Sequence, residues 1–136
     1  MWHKIIIVGH LGKKPEMRFT PAGQAVTSFS VATSRTYTSG SGEQVKETLW
    51  SRVSVWGKAA EACNTYLDKG SLVLVEGRLT PDKETGAPRI WTDKAGKASS
   101  SFEVTAIEVK FLSGKKEGEA HQTQDSEIPV ETDIPF

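Results

Sequence analysis

One cysteine, Cys63, in a chain of 136 residues excludes an intramolecular disulfide and fits a reducing compartment. Long apolar runs are missing too. The stretch "KIIIVG" at 4–9 is too short for the hydrophobic region of a secretory signal, and nothing elsewhere approaches the length of a membrane span. The expectation is a cytoplasmic protein. Clustered metal ligands are also lacking, since His3, His10 and His121 lie far apart. The segment "GRLTPDKETG" lacks the Gly-Lys-Ser/Thr ending of a phosphate-binding loop. Asp82, Glu84 and Asp93 read as polar hairpin residues rather than paired catalytic carboxylates, and Cys63 as a buried structural thiol. No catalytic residue, metal or cofactor is expected, and the chain does not read as an enzyme.

Net charge is absent as well, but the zero is a balance of unequal parts. Residues 1–112 hold 15 Lys/Arg against 11 Asp/Glu, a net +4, while 113–136 hold 2 lysines against 6 acids, a net −4. A basic body can meet a polyanion that the tail would repel.

What is present is enough for one core: 37% of the residues are hydrophobic. Most of them fall in β-branched runs at 4–11, 25–34, 48–56, 71–79 and 101–112, separated by Gly, Pro and Ser clusters. The exception is "KAAEACNTYLDKG", where Ala59, Ala62, Cys63, Tyr66 and Leu67 recur at helical spacing and Gly70 marks a stop. Five strands with one short helix between the third and fourth is the element order of the OB-fold, a five-stranded Greek-key barrel. The all-β domain is expected over 1–112. In the fifth run, Phe102 and Val104 share one parity and Ile107, Val109 and Phe111 the other, which predicts a bulge. The connections "SRTYTSGSGEQVKE" and "TPDKETGAPRIWTDKAGKASS" read as long mobile hairpins. After Ser113 hydrophobic periodicity stops, and 113–136 is expected to be a disordered acidic tail.

The third run, "LWSRVSVWG", separates by parity: Leu49, Val53 and Val55 on one face, Trp50, Arg52, Ser54 and Trp56 on the other. The first set is a core face. Two indoles flanking a guanidinium suit single-stranded nucleic acid, with bases stacked on the rings and Arg52 on phosphate. A second core would seldom accept Arg52 unpaired, whereas a polar oligomer interface or a docked polypeptide stays open as an alternative. Tyr37 and Trp91 in the two hairpins can extend the aromatic path, with Lys46, Lys58, Arg78, Arg89 and Lys94 near in sequence as counter-charge.

The segments "IIIVGHLGKKPEMRFTPAGQAVTSFSVATSR", "ETLWSRVSVWGKAAE", "YLDKGSLVLVEGRL" and "IWTDKAGK", with the closing "DIPF", resemble bacterial single-stranded DNA-binding proteins over essentially the whole chain. That resemblance implies an OB-fold that binds single-stranded DNA without sequence preference, assembled as a homotetramer. The family's "ATSxxW", "EWxRV", "FGK" and "WTDxxG" motifs place its stacking aromatics at Tyr37, Trp50, Trp56 and Trp91. Arg18, Arg52, Lys58 and Arg89 fall on or beside its phosphate-contacting positions. Tyr37 stands where Trp is common and Trp56 where Phe is, which keeps a π-face at both. The stretch "PDKETGAP" at 81–88 reads as an insertion. The resemblance further implies that Asp133, Ile134, Pro135 and Phe136 dock partner proteins of DNA replication, recombination and repair.

Overall fold

Alternating β-branched and polar residues build most of the elements seen in the computed structural model, which describes residues 1–113. The expected disordered tail, with Asp133, Ile134, Pro135 and Phe136, otherwise lies outside the described residues. In chain order the elements are β1 (Ile5–Leu11), β2 (Glu16–Phe19), β3 (Ala25–Thr38), β4 (Gln44–Trp56), α1 (Lys58–Tyr66), β5 (Leu72–Leu79), β6 (Ile90–Thr92), β7 (Ala98–Ser100) and β8 (Phe102–Phe111). The main sheet runs β1-β5-β8-β4-β3, and β3 returns to β1 through His10 opposite Ala32 and Leu11 opposite Val31. The sheet thus closes into a five-stranded barrel with β4 and β8 parallel, the OB-fold that the element order predicts.

Inside the barrel, Val31, Val53, Val55, Val73, Val75 and Val104 are buried together with Ile7, Leu11 and Phe29. Each such side chain withdrawn from water contributes about 1.5–3 kcal/mol. α1 closes one end by lowering Ala60, Cys63 and the following Leu67 onto this core. It is tied there by the Thr27 hydroxyl, which donates to the Ala60 carbonyl at 2.6 Å in a buried setting. The buried stripe is therefore 60, 63 and 67, and the expected Ala59 and Tyr66 are exposed. Both stripes fit the helical period, and the tilt of α1 over the barrel mouth selects between them. The helix ends at Tyr66, because Leu67 is already extended, so Gly70 acts in the turn leading into β5 rather than as the cap.

Two expected mobile hairpins are built structure. The first continues the β3–β4 ladder out to Thr38 opposite Gln44, leaving a tip of only a few residues, with the Arg35 guanidinium on Glu47 at 2.7 Å across the strands. In the second, the Asp82 carboxylate accepts the backbone N–H groups of Glu84 and Thr85 at 2.9 and 3.1 Å. Those bonds hold the Asp82 carboxyl below the usual aspartate range. β6 and β7 then pair through Trp91 opposite Ser99. Polar composition concealed both, because cross-strand Thr, Ser and charged pairs support a two-stranded ribbon in water as well as a loop. β2 is likewise absent from the sequence reading; "EMRF" is too short and polar to signal a strand.

The bulge lies where the parity slip puts it. Gly77 of β5 faces Ala106 while Glu76 faces Glu108, so Ile107 is the extra residue. Leu49 and Phe102 keep the parity of Val53 and Val104, but both are exposed beyond the end of the core, so Leu49 is not the core residue expected. At the bulge the two backbones come so close that a β-carbon on Gly77 would collide with the Thr105 carbonyl. Gly77→Ala is expected to destabilise the domain by about 1–3 kcal/mol, seen as a lower urea midpoint with an unchanged slope.

Candidate nucleic-acid interface

The core residues Val53 and Val55 fix which way β4 faces. Because successive side chains alternate, their burial forces Trp50, Arg52, Ser54 and Trp56 onto the outer wall. Trp50 is 51% exposed and Trp56 43%. Six residues along a strand separate them by about 20 Å, the span of a few nucleotides rather than of one small ligand.

Neighbouring strands extend this wall in rows. Trp50 is registered on Ala32 and through it on His10; Arg52 lies beside Ser30 and Glu103; Ser54 lies beside Ser28 and Glu16; Trp56 lies beside Val26 and Arg18. Arg18 is thus brought to the same face as Trp56, about 10 Å across two strand spacings. Lys58 follows Trp56 at the start of α1 and is exposed. Between the β1–β2 connection and the wall is a cleft of about 360 Å³, lined by Trp50, Arg52, Ser28 and Ser30 together with Lys13, Lys14 and Glu16. The Trp50 ring closes over Gly12, where an added β-carbon would lie 2.6 Å from it.

Sequence reasoning missed Lys13, Lys14 and Glu16. The run "KKPE" carries no periodicity, and only the turn from β1 to β2 sets it against β4.

The other two aromatics are placed differently. Tyr37 is exposed, but it lies five residues beyond Ala32, so alternation puts it on the opposite face of the β3–β4 ribbon from Trp50. The four aromatics do not share one face. Arg35 lies over the Tyr37 ring at 4.7 Å, and its bond to Glu47 raises its already high pKa. Trp91 stands on the separate β6–β7 hairpin. Arg89 is 5.5 Å from that ring and also grips Glu103 at 2.9 Å, so a phosphate at Arg89 has to compete with a carboxylate. By contrast Arg18, Arg52, Lys13, Lys14 and Lys58 make no ion pair with any described residue.

The molecule is a closed OB barrel with an aromatic and cationic strip across its outer wall, groups that can stack on flat rings and meet negative charge. Comparison with known proteins gives the class its family. A family model described as "Single-strand binding protein family" matches residues 2–112, and the chain belongs to that family. It is 39% identical over 115 residues to a single-stranded DNA-binding protein of Neisseria meningitidis serogroup B, covering 85% of this chain and 62% of the relative. It is 36% identical over 132 residues to the one from Wolinella succinogenes, covering 93% and 77%. The chain therefore spans less than two thirds of the Neisseria relative. Among solved structures, a Plasmodium falciparum SSB in complex with ssDNA superposes with a TM-score of 0.66 at 25% identity, covering 83% of this chain and 96% of that one. A deletion mutant of the single-stranded DNA binding protein from Thermus aquaticus superposes with a TM-score of 0.63 at 30% identity, covering 82% and 50%.

The chemistry available on this wall is stacking, hydrogen bonding and charge. Among the described residues no group of His, Cys, Asp and Glu is arranged to hold a metal ion, and no helix is long and apolar enough to cross a membrane. Cys63 is buried on the face of α1 that packs on the core, and that burial pushes its thiol up to about 11. The folded protein is thus expected to resist alkylation at pH 8 and to react fully once unfolded in urea, as followed by mass spectrometry. A raised folded-state value also means that the thiol's contribution to stability is intact below about pH 9 and is lost as pH rises toward about 11.

Proposed function

We propose that this chain binds single-stranded DNA largely independently of sequence, holding and protecting it during replication, recombination and repair. The observation that carries this reading is the Trp50, Arg52, Trp56 strip, held outward by the buried Val53 and Val55. Bases stack on Trp50 and Trp56, while Arg52, Arg18 and Lys58 meet phosphates. Tyr37, Trp91 and Arg89 extend the path onto the two hairpins as the strand leaves the barrel. Family membership supports the same ligand, since the Neisseria relative is a single-stranded DNA-binding protein and the Plasmodium structure is a complex with ssDNA. Single strands are favoured over duplex because paired bases hide the faces that indoles stack on. The working form is a homotetramer in the cytoplasm, associated with the nucleoid. The body, residues 1–112, carries no catalysis, and the tail recruits partner proteins through Asp133, Ile134, Pro135 and Phe136.

Titration with dT oligomers is expected to quench tryptophan fluorescence. Trp50→Ala with Trp56→Ala should weaken binding roughly thirtyfold or more in moderate salt while leaving the circular dichroism unchanged. Absence of quenching would sink the reading and point to a polypeptide as the ligand of that wall. A chain ending at Ser113 loses a net −4. Its affinity for ssDNA at low ionic strength is expected to rise severalfold, and the gain should vanish near physiological salt, as measured by anisotropy.

A further inference from the structure

The cleft beside Trp50 contains a group that a phosphate groove does not need. Glu16 is registered on Ser28 and lies among Lys13, Lys14 and Arg52, yet it makes no ion pair with a described residue. A carboxylate accepts hydrogen bonds and repels phosphate, so its presence costs affinity for the backbone of any nucleic acid. An internal deoxyribose has no hydroxyl to donate. The donors left in a single strand are on the base edges.

The geometry around Glu16 supplies the rest of a base site. Trp50 is two rows from Glu16 along β3, and its indole reaches over Gly12, whose N–H is bonded to the Ser30 carbonyl at 3.1 Å. The ring thus spans the intervening row and leaves the space next to the acid free. A volume of about 360 Å³ is at the small end of the roughly 300–1,000 Å³ typical of ligand clefts, enough for a single nucleotide unit. Ser28 and Ser30, half-buried on the outer face of β3, add hydroxyls that donate or accept as the base edge requires.

Resting on the DNA-binding reading, we propose that this cleft reads one base of the bound strand. The base stacks on Trp50 and donates an exocyclic amino group to Glu16, with Ser28 and Ser30 completing the contact and Lys13, Lys14 and Arg52 taking the adjoining phosphates. Cytosine matches best: its amino group is the donor that carboxylates accept from in base recognition. Thymine presents a single imino N–H between two carbonyl oxygens, which a carboxylate repels. The result is a modest preference for amino-bearing bases at one position, superimposed on sequence-tolerant stacking elsewhere.

The test is the ratio of dC-oligomer to dT-oligomer affinity, measured by anisotropy at mildly alkaline pH in the intact protein and in Glu16→Gln. Stacking alone carries its own pyrimidine preferences, so the change in the ratio is the readout. Glutamine can pair with either base, and the ratio is expected to fall about fivefold in favour of dT. Glu16 is exposed, and an unchanged thermal transition will show that the variant folds. Lys13→Gln with Lys14→Gln should weaken dC and dT equally and flatten the salt dependence. If Glu16→Gln strengthens both oligomers alike, or changes neither, the acid is only a charge on the rim and the proposal is wrong. If the intact protein binds neither oligomer, the DNA-binding reading itself fails.

Discussion

The packing of Val53 and Val55 inside the barrel is the constraint from which the outer wall follows. Both are essentially inaccessible, and with Val31, Val73, Val75 and Val104 they form a ring of short β-branched side chains around the interior. Such residues have one strongly favoured rotamer and little freedom to lose, so they fill a narrow barrel tightly. Once two of them are inside, alternation leaves β4 no choice about its other side. A slip of one residue would bury Arg52 and two indoles in a space sized for valine and expose the core. The same interaction that stabilises the fold therefore presents the aromatic and cationic wall.

Around that wall the charge is arranged by pairing. Glu47 and Glu103 are each occupied by an arginine, at 2.7 and 2.9 Å, and so are subdued as sources of negative field. Among the described cations without such partners, Lys13 and Lys14 lie on the β1–β2 turn and Lys58 at the start of α1, flanking the strip, while Arg52 lies within it. This gives the zero formal charge of the chain a spatial meaning: the positive excess belongs to the body, and part of it is concentrated beside the exposed indoles. Glu16 is the exception in this field, which is why its position next to a stacking surface carries information.

Much of the architecture was legible from residues in isolation. Five β-branched runs, one helix between the third and fourth, and the slip in "FEVTAIEVKF" predicted the barrel, its order and a bulge in the last strand, because each signal depends only on near neighbours in sequence; the register then identified Ile107 as the extra residue. What the residues in isolation did not show depended on distant ones. The side of the ribbon on which Tyr37 lies follows from the ladder, which runs unbroken from Ala32 to Thr38 and sets it on the face opposite Trp50. Glu103, which β8 brings to Arg89, is 14 positions away in sequence and unsignalled there. Polar stretches expected to be mobile were ordered by cross-strand pairs and by Asp82 closing its own turn.

By itself the sequence determined the barrel core, the direction in which Trp50, Arg52 and Trp56 face, and the separation of a basic body from an acidic tail, because period-two alternation and local composition are properties of the chain alone. Only the tertiary structure decided that "KKPE" lies across from Trp50, that Arg18 shares a row with Trp56, and that Leu49 and Phe102 are outside the core. Those relations come from strand register and barrel closure, which join residues tens of positions apart and leave no periodic trace in the sequence that encodes them.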